Sequence, residues 1–371
     1  MSAVLFFDAT CQKPYARRML EESALGGTEA SVIRIAEALD ARVMQHNRTE
    51  ADGRYQPIGP AEGITHLIVL RDPRPLESII ARYPGARCYL WMHDLMRPGS
   101  KRGRRLAAAL GVLSRHEVTL ICVSDFQRAQ VESIVRTGGA QARVRAVTLY
   151  NPVDDRLAPD GTAVDPAKLV FFSSPNKGLA YTLDAFRHLR RQMPELRLCV
   201  GSPGYKSLRR ANIARVDGGV DGVHWLGSLP QQRILAEVRS ALCVFYPNFV
   251  LPETFGLVLA EAKAVGTPVL THDCGAAAEV LGNAGETLPV RTAQRLYEYV
   301  GRVMPHALRP ALAAAGGALG LFDSYAACVR AWREGARPVT GPDPRFLASA
   351  VAQRWRALFG MPTGAESSRD R

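Results

Sequence analysis

The chain has 371 residues, 47% of them hydrophobic and 22% charged, and a formal net charge of +12. That length predicts two domains, and the composition excludes a disordered chain. The 32 glycines follow no triplet period and no apolar run approaches 18 residues, so neither a collagen-like chain nor a transmembrane helix is expected.

The first 18 residues have no basic leader and only a short apolar run, which reads as a buried strand rather than a signal peptide. Strands are predicted at Val4–Phe7, Arg42–His46, Thr65–Leu70, Arg87–Met92, Val118–Val123 and Val144–Tyr150. Several of these runs lack alternation, as expected of a parallel sheet covered on both faces. Helices are predicted between them at Thr28–Asp40, Leu76–Tyr83, Lys101–Arg115 and Asp125–Thr137. Residues 154–167, rich in Pro and Asp, read as a linker.

The rhythm then restarts. Strands are expected at Leu169–Ser173, Leu196–Gly201, Val223–Leu226, Leu242–Tyr246 and Pro268–Thr271. The intervening helices are Tyr181–Arg191, Ser207–Arg215, Gln231–Ser240, Gly256–Val265 and Ala276–Leu281. Two α/β halves of similar size place a cleft between them, with ligands at the carboxyl ends of the strands. Residues 292–335 read as all-helical. After a Pro-rich break, Phe346–Phe359 forms a last amphipathic helix with Leu347, Val351, Trp355 and Leu358 on one face. Residues 361–371 read as a disordered tail. The seven cysteines include no CxxC pair, and Cys88, Cys122, Cys199 and Cys243 sit in apolar runs, which suits a reducing cytoplasm and argues against zinc.

Chemistry-bearing residues gather at predicted strand ends. Glu253 and Glu261 are eight residues apart in PETFGLVLAEAKAVGTPVL. Glu253 follows a strand-like run and precedes a helix, with Glu261 about two turns into it; eight residues of helical rise cover roughly 12 Å, so the two would reach different parts of an elongated ligand. The amides of Thr254, Phe255, Gly256 and Leu257 would open that helix and point at an anion. Two ordinary surface glutamates remain an equal reading of the spacing alone. Lys177, in FFSSPNKG, stands beside a helix start where a diphosphate could bind. Gly26 and Gly27 allow close backbone approach or make a simple turn. His93–Asp94, Ser124 and Asn151 also follow strands. Asp125 fits equally as a helix cap, and Asn151-Pro152 as a hinge turn. Arg97, Lys101, Arg102, Arg104, Arg105 and Arg115 lie in a stretch with no acid between Asp94 and Glu117. A solvated helix and a surface for phosphate groups or an anionic membrane are both open readings. The block lacks interleaved aromatics, so nucleic acid is not expected.

The stretch carrying Glu253, Phe255, Gly256, Glu261, Ala262, Gly266 and Pro268–Val269 resembles the E-x7-E signature of retaining GT-B glycosyltransferases, family 4 in particular. The resemblance implies two Rossmann-like doubly wound domains facing a cleft. Residues 1–153 would form the acceptor-side domain, joined by the C-terminal helix 345–360, and 154–340 the nucleotide-sugar domain. It assigns Glu253 to the donor sugar, Glu261 to the ribose hydroxyls, Lys177 to the diphosphate and His93 to the cleft near donor and acceptor. Gly26, Gly27, Ser174, Leu226 and the Thr254–Leu257 amides would complete the donor site. Asp94, Arg102, Arg104, Arg105, Ser124 and Asn151 would face the acceptor. The family's usual Arg about five residues before the lysine is missing, since Phe172 and Ser173 stand there. Either Ser174 and backbone amides serve, or one of Lys206, Arg209 and Arg210 substitutes.

No D-x-D occurs, so no metal site and no cofactor are expected. The function implied is retaining, metal-independent transfer of a sugar from a nucleotide diphosphate donor to a glycan or lipid-linked acceptor. Surface polysaccharide or lipopolysaccharide synthesis would be its setting, in the cytoplasm with peripheral association at the inner face of the membrane. The alternatives are a sugar-nucleotide epimerase or phosphorylase-like enzyme, and a non-catalytic basic protein binding nucleic acid.

Overall fold

The computed structural model describes residues 3–140, 143–202, 220–282 and 286–362. The chain divides into two compact units. One holds Gly27–Asp155 with Met1–Met19 and the stretch from Pro344; the other holds Arg156–Asp343 with Leu20–Gly26.

In the first unit, β1 (Val4–Asp8), β2 (Arg42–Gln45), β3 (Tyr55–Pro57), β4 (His66–Leu70), β5 (Arg87–Met92), β6 (Thr119–Cys122) and β7 (Ala146–Thr148) form one sheet. Their order is β3-β2-β1-β4-β5-β6-β7, and every pairing is parallel. All residues of β1 and β4 are buried, which is why these runs show no polar alternation. The strand order reverses between β1 and β4, the point where sheets of this kind open a crevice at their carboxyl ends. The short edge strand β3 was not expected. The predicted helix over 101–115 is two helices, Lys101–Ala108 and Leu110–Arg115, joined at Ala109.

The last helix, Ala348–Phe359, belongs to this unit. It is led in by a parallel bridge of Val153 with Leu347, and Arg356 bonds the Ala38 carbonyl at the end of the helix Gly27–Ala38. Trp355 is fully buried, with its ring centroid 4.9 Å from Trp91 and 5.7 Å from Phe6. The buried face is Val351, Ala352, Trp355 and Phe359. Leu347 and Leu358, expected on that face, are only half-buried, because Leu347 caps the helix and Phe359 takes the inward position of the last turn.

The second unit carries β8 (Asp165–Phe172), β9 (Arg197–Gly201), β10 (Val223–Gly227), β11 (Ala241–Tyr246), β12 (Val269–His272) and β13 (Thr287–Leu288). They run parallel in the order β10-β9-β8-β11-β12-β13, which reverses between β8 and β11. β8 starts inside the expected linker. Helices Thr292–Val303, Arg309–Ala318 and Asp323–Ala331 follow the sheet. The expected helix over Ser207–Arg215, with Lys206, Arg209 and Arg210, and most of the tail lie outside the described residues. No single helix among the described residues is long and apolar enough to cross a membrane.

Candidate active site

The β8–β11 reversal in the second unit collects the strongest chemistry. β8 ends at Phe172, and the chain turns through buried Ser173 and Ser174. The Lys177 amide donates to the Ser174 carbonyl (2.9 Å), and the Ser174 hydroxyl donates to Asn176 Oδ1 (2.6 Å). This self-bonded turn delivers Lys177 just ahead of the helix Leu179–Gln192.

β11 ends at Tyr246, and Asn248 shapes the loop that follows. Its Oδ1 accepts from the amides of Val250 (3.2 Å) and Leu251 (3.3 Å), while its Nδ2 donates to the Leu251 carbonyl (2.8 Å). Glu253 then forms a parallel bridge with Gly275, beyond β12. Gly275 has φ +80°, and a Cβ there would stand 2.3 Å from the Glu253 carbonyl oxygen and 2.6 Å from its nitrogen. A side chain at 275 would therefore displace the Glu253 backbone.

Glu253 is buried, with 4% of its side chain exposed. Lys177 Nζ donates to both carboxylate oxygens, at 2.8 and 2.7 Å, and Tyr246 Oη donates to Oε1 at 2.5 Å. A buried carboxylate is tolerated only with such compensation. The structure thus joins two residues assigned separately from sequence, 76 positions apart.

Glu261 is also buried and accepts from Gln231 Nε2 at the start of the helix Gln231–Arg239. As expected, Glu253 lies ahead of the helix, which runs from Leu257 to Ala264; Glu261 is one turn in rather than two, so a helical rise of roughly 12 Å does not separate the pair. Gly256, at φ 91°, is its N-cap. Thr254 and Phe255 precede the helix, and the Phe255 side chain is fully buried in the core. Leu226 lies half-buried on the edge strand β10, beside the register shift at Gly227.

In the first unit, Gly27 is the first residue of the helix Gly27–Ala38 and its carbonyl accepts from Ser31 Oγ (2.7 Å); Gly26, the residue before it, groups with the second unit. His93 follows β5, buried against the Trp91 ring at 4.5 Å. Burial and the Arg71 charge push the His93 pKa down to about 3, so its imidazole is neutral at physiological pH. Arg71 stands after β4 with φ 65° and grips Asp94 through two 3.0 Å bonds, while Arg102 pairs with the same carboxylate at 3.1 Å. Burial works to raise the Asp94 pKa, but the Arg71 bonds and the two arginine charges outweigh it and hold it below the ordinary range.

The basic cluster is less open than its sequence suggests. Arg105 pairs with Asp72 (3.7 Å), Arg115 with Glu77 (2.5 Å), and Arg104 donates to the Gly99 carbonyl. The acids come from other segments, which a local count of charges does not detect. Ser124 is the N-cap of the helix Asp125–Thr137, accepting from the Gln127 amide (3.0 Å). Asp125, for which a cap was one of two equal readings, is the first residue of that helix and accepts from Thr148 Oγ1 (2.7 Å). Asn151 is buried beyond β7. Among the described residues, no group of three His, Cys, Asp or Glu side chains is arranged to hold a metal ion.

Tyr246, Asn248 and Gln231 escaped sequence reasoning. The available signals were a polar-ended aromatic closing an otherwise apolar strand and an Asn just after it.

His93 has a clear consequence for stability. Its folded pKa of about 3 lies below the ordinary 6.5 or so, so the unfolded chain binds more protons between those values. Stability is therefore lost as pH falls through that window. His272, lowered to about 4 by burial, adds to the loss. His93→Asn is expected to lose less melting temperature than wild type between about pH 7 and pH 4.5. An equal loss would overturn this.

Residues 165–305 match the family model described as Glycosyl transferases group 1. The phosphatidyl-myo-inositol mannosyltransferase of Mycobacterium leprae is 32% identical over 120 residues, which are 32% of this chain and 31% of that protein. The D-inositol 3-phosphate glycosyltransferase of Nocardia farcinica is 33% identical over 243 residues, covering 58% and 53% respectively. The chain thus spans about a third to a half of the length of these curated relatives. Sucrose-phosphate synthase from Thermosynechococcus elongatus is similar in fold, with a TM-score of 0.62 over 96% of this chain and 99% of that one at 16% identity. With the two reversed parallel sheets, this likeness identifies the fold as GT-B, two Rossmann-like doubly wound domains.

Proposed function

We propose that this chain is a retaining, metal-independent glycosyltransferase of family-4 type, moving a sugar from a nucleotide diphosphate donor to a glycan or lipid-linked acceptor. The observation that carries this reading is the Lys177–Glu253 ion pair at the β8–β11 reversal, within the segment that matches the group 1 family model. Such a reversal is where doubly wound sheets bind nucleotides.

Glu253 faces the donor sugar and Glu261 accepts from the ribose hydroxyls. Lys177 has three N–H bonds; two go to Glu253, and the third is assigned to the donor diphosphate. The acceptor hydroxyl forms its bond to the anomeric carbon on the face from which the diphosphate departs. The bond to the phosphate oxygen breaks, and that oxygen takes the acceptor proton. Lys177 and the start of the helix Leu257–Ala264 stabilise the leaving charge. In the first unit, neutral His93 and Asp94 are assigned to the acceptor as hydrogen-bonding groups. Arg102, Arg104 and Arg105 would receive acceptor phosphate by exchanging their present partners. The names of the relatives, which specify phosphatidyl-myo-inositol and inositol phosphate, favour a phosphorylated or lipid-linked acceptor. Surface glycan synthesis at the inner face of the membrane is the setting that fits.

A thermal-shift screen of sugar nucleotides tests the donor site. At 100 times its dissociation constant a ligand adds about 2.7 kcal/mol. Anomeric configuration of the product, followed by NMR, tests retention, and turnover in EDTA tests metal independence. Glu261→Gln is expected to weaken nucleotide binding by about 1.5–3 kcal/mol, through loss of charge-assisted bonds. Unchanged nucleotide affinity in titration calorimetry would remove Glu261 from the donor site.

A further inference from the structure

The chemistry above leaves Tyr246 and Asn248 without a role, although both are buried against Glu253 or its loop. We propose that Tyr246 is a positioning residue that sets the orientation of the Glu253 carboxylate toward the donor sugar, and that Asn248 holds Tyr246 and the loop together. The proposal rests on the glycosyltransferase reading and names a determinant of sugar recognition within it.

The direction of the hydrogen bonds carries the argument. Tyr246 Oη has one proton, and at 2.5 Å from Glu253 Oε1 it donates there, because an ionised carboxylate only accepts. Asn248 Nδ2 lies 3.3 Å from Tyr246 Oη and can only donate to it. The relay therefore runs one way, from Asn248 through Tyr246 to Glu253. The same Asn248 amide ties the Leu251 carbonyl, two residues before Glu253. One side chain thus fixes both the hydroxyl that orients the carboxylate and the backbone that carries it.

Lys177 cannot supply this orientation alone. Its ammonium sits on a flexible four-carbon stem and follows the carboxylate wherever it turns. Tyr246 is rigid by comparison. It is 1% exposed, closes the central strand β11, and packs against Phe171 of β8 with ring centroids 5.5 Å apart. Among the described residues Tyr246 and Lys177 both bond Oε1 while Lys177 bonds Oε2, so the oxygen that Tyr246 does not engage is the one assigned to a sugar hydroxyl. Lys177 supplies charge and Tyr246 supplies direction.

The test separates sugar from nucleotide. UDP, GDP, UDP-glucose and GDP-mannose are titrated into the full chain by calorimetry. The readout is the affinity ratio of a sugar nucleotide to its bare diphosphate. Tyr246→Phe, which removes one oxygen, is expected to lower this ratio to within about threefold of that in Glu253→Gln, with bare-diphosphate affinity unchanged. The double variant should lose no more than about twofold beyond Glu253→Gln, because the two residues act as one unit. Asn248→Ala, which keeps the tyrosine, should lower the ratio by an intermediate amount and provides the second arm should Tyr246→Phe fail to fold. A wild-type ratio in Tyr246→Phe beside a lowered one in Glu253→Gln overturns the positioning role. So does a parallel loss of bare-diphosphate affinity, which a merely structural tyrosine would produce. A wild-type ratio in Glu253→Gln, or no binding of any of the four ligands to wild type, instead sinks the reading of the site on which the proposal stands.

Discussion

Glu253→Gln is expected to lower glycosyl transfer by about 10²–10³, through loss of contacts to the bound sugar and of preorganised charge in the transition state, while leaving affinity for a bare nucleoside diphosphate nearly intact. Lys177→Ala should fail differently. It strands a carboxylate with only 4% of its side chain exposed, beside a lysine that is itself 24% exposed. Breaking a buried pair from one side costs about 3–5 kcal/mol, and the partial exposure of Lys177 brings this nearer 2–3 kcal/mol. Diphosphate affinity should fall as well. The double variant Lys177→Ala with Glu253→Gln should regain part of the lost stability, because no uncompensated charge remains. Denaturant melts of the four proteins check this. If Lys177→Ala unfolds at the wild-type midpoint, the pair does not hold the site together, and the electrostatic account of Glu253 burial is wrong.

Trp355→Ala carries the largest expected loss of stability. The side chain is fully buried and touches both Phe6 of β1 and Trp91 of β5. Truncating a buried Trp typically costs about 3–5 kcal/mol. The loss falls in the first unit, where Phe359 also packs against Trp355 at 5.6 Å, and His66 against Phe359 at 4.5 Å. Loosening of the helix Ala348–Phe359 should accompany it, visible as faster amide exchange there than along Leu257–Ala264 in the second unit. A variant that melts within about 0.5 kcal/mol of wild type would show that this helix is a surface appendage.

The sequence by itself was sufficient for the α/β class, for most of the strands and for the restart of the pattern at Leu169, four residues into β8. The reason is local. A strand buried on both faces has to be apolar at every position, and an amphipathic helix has to repeat near 3.6 residues, whatever it packs against. The edge strands β3 and β13, three and two residues long, are too short to leave such a pattern. The break at Ala109 left none either.

The E-x7-E stretch and the Lys-Gly turn were likewise visible, because each is contiguous in the chain. Their meeting was not. Lys177 and Glu253 touch because β8 and β11 are neighbours at the reversal of the sheet, a matter of strand order rather than of either segment. The same cause brings Gly275 against the Glu253 backbone, sets Gln231 on Glu261, and matches Asp94, Asp72 and Glu77 to a basic run that looks unopposed in sequence. Periodicity is written along the chain because burial repeats with local geometry. Partnership between side chains is decided across the sheet, where residues distant in sequence become neighbours only once the strands have found their order.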